Sequence, residues 1–226
     1  MFKTDGWSKY STWEHSQSLN ELYAARCLMI AEEMTCHAQA VELLAGYISP
    51  GDTLLDVGCG SGYFYHALRK RNCPVEYYGI DAARTLIEIG KKLMPQFGLS
   101  ADRLHVLRME DMDGEMDHIV CINVLTYVDG YHRPLERMLR MAKKTVILRE
   151  SCHDQSQNIY VIDKYLDHGV ELKVHINTYC SEELMDFIRS YGFSVRCIED
   201  RYTGGEPQMV IDYPHYWKFF LAQRIS

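Results

Sequence analysis

"LLDVGCGSGYF", residues 54–64, decides how the rest of this chain is read. An apolar run ends on an acid, Asp56, and glycines follow at alternate positions, Gly58, Gly60 and Gly62. A buried strand that runs into a glycine-rich loop and then a helix-like pattern opens a βα unit, and ligands of such folds bind just outside the carboxyl ends of the strands. Glycine lets the backbone turn sharply there and lets a ligand approach without Cβ clashes. A tight turn with no ligand would use the same residues, so a second feature has to separate the two readings. It stands one strand further on. Asp81 closes "YYGID" (77–81), ~20 residues past the loop, where an acid can accept both hydroxyls of a ribose.

Strand and helix patterns alternate outward from this point. Strands are expected at 53–58, 75–81, 104–110, 117–124 and 144–150. Phe64, Ala67 and Leu68, then Leu86, Ile89 and Leu93, then Leu135, Met138, Leu139 and Ala142, carry the helical stripes between them. Pro134 suits the first turn of the last of these helices. Upstream, 21–48 reads as helical, with Leu22, Ala25 and Met29 on one face and Val41, Leu44, Ala45 and Ile48 on another. Residues 151–178 interrupt the rhythm as an insertion, with a short helix expected at 158–167 and an alternating stretch, "VELKVHI", at 170–176. A helix resumes after Ser181, followed by strands at 194–200 and 216–223, an antiparallel pair at the sheet edge. The expected fold is α/β: one domain over residues 1–226 built on a Rossmann-like, doubly wound, mostly parallel seven-stranded sheet with an antiparallel edge strand. Residues 1–48 form a helical cap, which together with the 151–178 insertion makes a lid.

Composition narrows the classes. A net charge of −7 without a dense Lys/Arg tract argues against a nucleic-acid partner. No apolar run approaches the ~18 residues of a membrane span, and "MFKTDGWSKY" has no apolar signal core. The eight cysteines (27, 36, 59, 73, 121, 152, 180, 197) form no CxxC pair. They read as reduced, packed thiols rather than disulfides or a zinc site. A cytoplasmic protein is expected.

The glycine spacing also discriminates among nucleotide ligands. A dinucleotide-binding loop reads G-x-G-x-x-G, and counting from Gly58 and Gly60 its third glycine would fall at Tyr63. A nicotinamide-dependent oxidoreductase is therefore the alternative, not the first reading. "LLDVGCGSGYF" with "GID" instead resembles the first two motifs of the class I S-adenosylmethionine-dependent methyltransferases. "MEDM" (109–112), "DHIVCINVLTYV" (117–128) and "SEELMDFIRSYGFSV" (181–195) match further segments of that family. The resemblance covers roughly residues 40–150 and 178–224 and is of the small-molecule type. It implies S-adenosyl-L-methionine as cofactor, with Gly58, Cys59, Gly60 and Gly62 backing its methionine part and Asp56 orienting its ammonium. Asp81 would take the ribose hydroxyls. Ile80 and Ala82 would flank the adenine, and Asp111, with the backbone of Glu110 and Met112, would meet its amino edge. Asn123 would face the methionine moiety.

The methyl acceptor is the least legible part. No Asn/Asp-Pro-Pro-aromatic pattern follows the fourth strand, where "NVLTY" stands, and Asn123 with Glu150 is not a carboxylate-rich set for a metal. The expectation is a metal-independent transfer to O or N of a small metabolite, with a sugar or a secondary-metabolite intermediate among the candidates. A cofactor-binding regulator without activity stays open, as does a homodimer. Trp7, Tyr10, Trp13, Tyr160, Tyr202 and Tyr213 could line an apolar pocket or pack the cap. His153, just past the fifth strand, is the first candidate for general base, with His175 and His15 as rivals. Arg26 and Arg149 could meet an acceptor carboxylate, though surface salt bridges are the simpler expectation.

Overall fold

Strands covered on both faces must be apolar at every position, not at alternate ones, and this chain obeys that rule. In the computed structural model, which describes residues 8–225, neighbouring strand residues feed two separate cores. Leu54, Val120, Ile147 and Phe219 pack on one face, Leu55, Ile119, Val146 and Phe220 on the other. The elements in chain order are α1 (Gln17–Cys27), α2 (Thr35–Leu44), β1 (Thr53–Val57), α3 (Phe64–Lys70), β2 (Glu76–Asp81), α4 (Arg84–Leu93), β3 (Leu104–Val106), β4 (Met116–Ile122), α5 (His132–Met141) and β5 (Ala142–His153). There follow β6 (Tyr160–Ile162), β7 (Lys173–His175), β8 (Tyr179–Cys180), α6 (Ser181–Ser190), β9 (Phe193–Glu199), β10 (Gln208–Val210), β11 (Tyr213–His215) and β12 (Trp217–Arg224). Helices α2, α3 and α4 cover the first face, and α5 and α6 the second.

The main sheet runs β3-β2-β1-β4-β5-β12-β9, with β8 added beside the end of β5. The pairs β2–β3, β1–β2, β1–β4 and β4–β5 are parallel, and β12 is antiparallel to both β5 and β9. The expected α/β architecture is present, and the reversed strand sits one place in from the edge, with β9 outside it. After β1 the chain leaves toward β2 on one side, while β4 lies on the other. The loops that follow β1 and β4 therefore diverge, and a crevice opens at their carboxyl ends.

Three expected elements differ. The helix over 21–48 is two helices: Ile30 and Ala31 amides turn back onto the Ala25 carbonyl, and Met29 takes a left-handed φ of 56°. The change of apolar phase between the two halves marks that break. The expected helix at 158–167 is instead β6, paired antiparallel with β7 in the register Tyr160↔His175 and Ile162↔Lys173. Its alternation, Val161 inward between exposed Tyr160 and Ile162, is the period of a strand. The third strand ends at Val106 rather than 110: the Leu107 amide makes the last ladder bond, to the Asp81 carbonyl, and Met109–Asp111 then wind into a 3-10 turn.

Candidate active site

The loop after β1 is stitched to the end of β2. Gly58 and Cys59 amides both donate to the Ile80 carbonyl, at 2.9 and 3.0 Å. The Gly60 amide donates to one Asp81 carboxylate oxygen and the Ala83 amide to the other, each at 2.8 Å. Glycines 58, 60 and 62 have φ of 73°, 57° and 77°. At two of them a side chain would also collide with the walls of the crevice: a Cβ on Gly58 would meet Val124, and one on Gly60 the ring of Tyr23. Asp81 is thereby aimed at the crevice with two acceptor sites engaged, out of about four that a carboxylate offers.

A second carboxylate lies deeper. Asp56 is buried at the end of β1 and accepts from the Tyr77 hydroxyl at 2.7 Å. Arg26 reaches in from α1. Its guanidinium lies over the rings of Tyr23 and Tyr63 (5.4 and 5.0 Å to the centroids) and donates to the Tyr63 hydroxyl at 2.9 Å. Among the described residues no acidic side chain pairs with it. Arg149, by contrast, is neither at the surface nor available. It is buried in an ion pair with Asp200 (2.8 Å), stacks on Trp217 and holds the side-chain oxygen of Asn123. Glu150 is fully buried, and its two oxygens accept the amides of Val124, Leu125 and Thr126 and the Thr126 hydroxyl at 2.9–3.1 Å.

Asp56, Gly58, Cys59, Asp81 and Asn123 line the floor of a cavity of about 580 Å³, with Arg149 and Glu150 bracing it from outside the lining. The roof has two parts. Tyr10 to Trp13 and the residues Leu19, Leu22, Tyr23 and Arg26 of α1 come from the N-terminal cap; Tyr160 and Lys173–His175 come from the β6–β7 hairpin. The two parts are tied together. The Gln17 amide donates to the Asp167 carboxylate (2.8 Å), the Asp167 amide to the His15 carbonyl, and the Ser16 hydroxyl to the Tyr165 carbonyl. Leu19, Leu22, Tyr23 and Arg26 of α1 thus border the crevice, where Leu22 is left partly exposed.

The expected site residues divide as follows. Asp56, Gly58, Cys59, Asp81, Ala82, Glu110, Asn123 and His175 line the crevice. Gly60 and Gly62 do not line it; they shape the loop from behind. Asp111 is exposed and Met112 is buried in the core, and neither lines it. Because β3 ends early, Leu107, Arg108, Met109 and Glu110 occupy that wall instead. His153 is exposed at the end of β5, its ring tilted against that of Tyr216, and does not line the crevice. His15 also lies outside it. Tyr10, Trp13 and Tyr160 line it; Tyr202 and Tyr213 do not, and Trp7 lies outside the described residues. Tyr23, Tyr63, Tyr127 and Lys173 line the crevice without having been expected there; only the tertiary fold brings them to it. No group of three or more His, Cys, Asp or Glu side chains suited to a metal ion is present among the described residues, and no helix is long and apolar enough to cross a membrane.

Burial pushes Asp56 up to about 7, and the charge of Asp81 adds to the shift against the Tyr77 hydrogen bond. Burial likewise raises Asp81 to about 6, opposed by the Ala83 and Gly60 amides. Both folded values lie above the ordinary carboxylate range, so between about pH 4 and 7 these two groups hold more protons in the folded than in the unfolded chain. Their stabilising contribution is complete below that range and is lost as the pH rises through 6 to 7. Asp56→Asn is expected to lose less stability than the wild type between pH 5.5 and pH 8. In the wild type Glu150, also raised to about 7 by burial, adds to the same slope, and His37, His66, His118 and His215, lowered by burial, oppose it. Thermal melts across this range check it; a wild-type slope unchanged in the variant would refute it.

A family model described as a methyltransferase domain matches residues 48–187, more than half of the chain. Among curated proteins, a ubiquinone biosynthesis O-methyltransferase of Pseudomonas paraeruginosa is 30% identical over 81 residues, 34% of this chain and 34% of that protein. An uncharacterized protein of Rickettsia prowazekii is 35% identical over 78 residues, 33% of this chain and 31% of that one. The matched stretch spans about a third of the length of these relatives. Among solved structures, an S-adenosylmethionine-dependent methyltransferase from Clostridium acetobutylicum superimposes with a TM-score of 0.63 at 12% identity, covering 92% of this chain and 98% of that one. A magnesium protoporphyrin IX methyltransferase from Synechocystis with bound SAM gives 0.57 at 18% identity, covering 84% and 80%.

Proposed function

The chain belongs to the class I S-adenosylmethionine-dependent methyltransferases, and from that premise we propose that it methylates an oxygen or nitrogen of a small metabolite, without a metal. The observation that carries the reading is the Asp81 carboxylate, locked by the Gly60 and Ala83 amides and aimed into a crevice floored by the glycine loop. S-adenosylmethionine, when bound, supplies a methyl group on a positively charged sulfur.

The residues fit that molecule along its length. Asp81 would accept the ribose hydroxyls with its remaining lone pairs, beside the backbone of Gly58 and Cys59. Ile80, Ala82, Leu107 and Met109 offer apolar walls to the adenine, and Glu110 an acceptor for its amino edge. An amino-acid moiety needs an acid for its ammonium and a cation for its carboxylate, and Asp56 and Arg26 provide that pair in one crevice. Asn123, braced by Arg149, borders the same end.

For the acceptor, Trp13, Tyr127, Tyr160 and Val174 form an aromatic and apolar wall, and Lys173 and His175 stand on it. His175 stacks on Tyr160 at 4.4 Å and takes the role of proton acceptor from the substrate hydroxyl or ammonium. The remaining work of the chain is alignment of the acceptor on this wall. Metal assistance is not part of the proposal because the one carboxylate on β5 near the reaction zone, Glu150, is consumed by backbone amides. The cytoplasm is the proposed location, in keeping with eight free cysteines.

Incubation with a metabolite extract and cofactor carrying a ¹³C-labelled methyl group, followed by mass spectrometry, is expected to reveal a product bearing the label. Tight cofactor binding with no transfer across a broad panel would overturn the enzymatic reading and leave a cofactor-binding regulator.

A further inference from the structure

Ile211 has a side chain ill suited to its backbone. With Asp212 it forms the two-residue loop between β10 and β11, where Val210 pairs with Tyr213. The φ angles of the two are 46° and 69°. A hairpin loop with two positive φ values prefers Asn-Gly or Asp-Gly, and a β-branched residue there is strained. Such strain persists only where the surroundings over-determine it. The Asp212–Lys164 ion pair beside it is exposed and contributes little. Burial is what holds Ile211. It is 9% exposed and forms a small apolar cluster with Val174 and Ile176, against which Tyr127 also packs. Val174 and Tyr127 line the crevice on the wall read above as the acceptor's, whereas Ile211 does not line it. Ile211 therefore backs that wall from outside. The hairpin that carries it is fixed to the main sheet: the Trp217 indole donates to the Gln208 side chain at 2.8 Å, and the Arg149 guanidinium lies over the Trp217 ring.

We propose that Ile211 is a specificity-determining positioning residue for methyl transfer: its side chain sets the depth of the acceptor wall by supporting Val174 and Tyr127 from behind. This rests on the acceptor reading given above. The burial of Ile211 in the cluster offsets the strain of its turn, so the side chain is held where a glycine would suit the backbone better. The part of the acceptor that it sizes is the part lying on Tyr127 and Val174. Removing the support leaves space behind these two side chains, and they settle into it. The acceptor then loses packing against the wall, while Asp81 and the glycine loop, on the far side of β1, keep their geometry. A polar loop that lies outside the crevice thereby acts on which metabolite fits inside it.

The test uses the full chain, saturating cofactor with a ¹³C-labelled methyl group, and a dilution series of the metabolite extract, at a temperature where each variant is folded by circular dichroism. The labelled product gives kcat and an apparent KM. Ile211→Gly suits the turn and removes the support. It is expected to raise the apparent KM about 10-fold, with kcat and the affinity for S-adenosylhomocysteine, the cofactor without its methyl group, both within about twofold of wild type. Ile211→Leu refills the space and is expected to bring the KM back to within about threefold. Asp212→Gly relieves the same turn without altering the cluster and is expected to leave the KM unchanged. An Ile211→Gly variant with the wild-type KM would overturn the proposal, whatever its melting temperature, since a lowered melt with an unchanged KM marks a structural residue. So would a KM raised equally in Asp212→Gly, which would assign the effect to the turn and not the side chain. If the wild type labels nothing, the acceptor reading falls and this inference with it; if it labels a product and the variants do not differ, only this inference falls.

Discussion

Asp81→Ala is expected to weaken S-adenosylhomocysteine binding by roughly 100- to 1000-fold. Two hydrogen bonds from ribose hydroxyls to an ionised acceptor are worth about 1.5–3 kcal/mol each, and every 1.4 kcal/mol is about tenfold in affinity. The carboxylate does more than meet the ligand. It also holds the Gly60 and Ala83 amides, so its loss loosens the loop that backs the methionine part. Asp81→Asn retains an acceptor oxygen for one of those amides and should fall between the two. Calorimetric titration of folded variants, verified by circular dichroism, measures the effect. An alanine variant that binds within fivefold of wild type would remove the basis for the proposed function.

Glu150→Ala should be the most damaging single change to stability. It strips a buried acceptor from three amides and one hydroxyl in a single turn, at Val124, Leu125 and Thr126. Donors left buried and unpaired cost about 1–3 kcal/mol each before relaxation or water entry. A net loss of about 3–5 kcal/mol corresponds to a fall in Tm of roughly 10 °C for a chain of this size. The same turn anchors the roof: the Asn177 amide donates to the Thr126 carbonyl, the Asn177 side-chain amide to the Val128 carbonyl, and the Tyr179 hydroxyl to the Leu125 carbonyl. Activity should therefore fall at temperatures where the variant is still folded, because Tyr127 and the hairpin lose their shared support. A melt within 2 °C of wild type would show that water or a neighbouring group replaces the carboxylate.

Local regularities made most of the fold legible in the chain itself. The apolar runs of β1, β4 and β5 announced a sheet covered on both sides, and the stripes of α4 and α5 supplied the covers. Where one period gave way to another without a glycine or proline, as between α1 and α2, the break was harder to see. There the left-handed turn falls on Met29, a residue that carries no turn signal in its chemistry. The insertion misled for a related reason. Three residues of β6 are too short to show a period until the partner strand β7 is known.

At the site, the strand-end residues were found together with Tyr10, Trp13, Tyr160 and His175 of the cap and hairpin, while Tyr23, Tyr63, Tyr127 and Lys173 were not. Asp56, the glycines and Asp81 lie at strand ends, where adjacency in a βα unit fixes their position relative to a ligand. Arg149 was expected in a surface salt bridge and is in a buried one, because its partner Asp200 is remote in sequence, and the backbone amides that engage Glu150 carry no side-chain signal. His153 looked well placed because it follows β5, but β5 continues three residues beyond its expected end and carries it past the crevice.

By itself the order of residues determined the parallel sheet, the place where it opens, and the loop and acid that face that opening. These follow from contacts within one or two βα units, where chain connectivity leaves little freedom. A cap and an insertion over the crevice were expected from the order of residues; the folded chain decided which of their side chains face it and which charges remain free in it. The contact of Glu14 with the start of α4, that of Gln17 with Asp167 beside the β6–β7 hairpin, and the burial of Arg149 all depend on segments far apart in the chain, and no local pattern encodes such pairings.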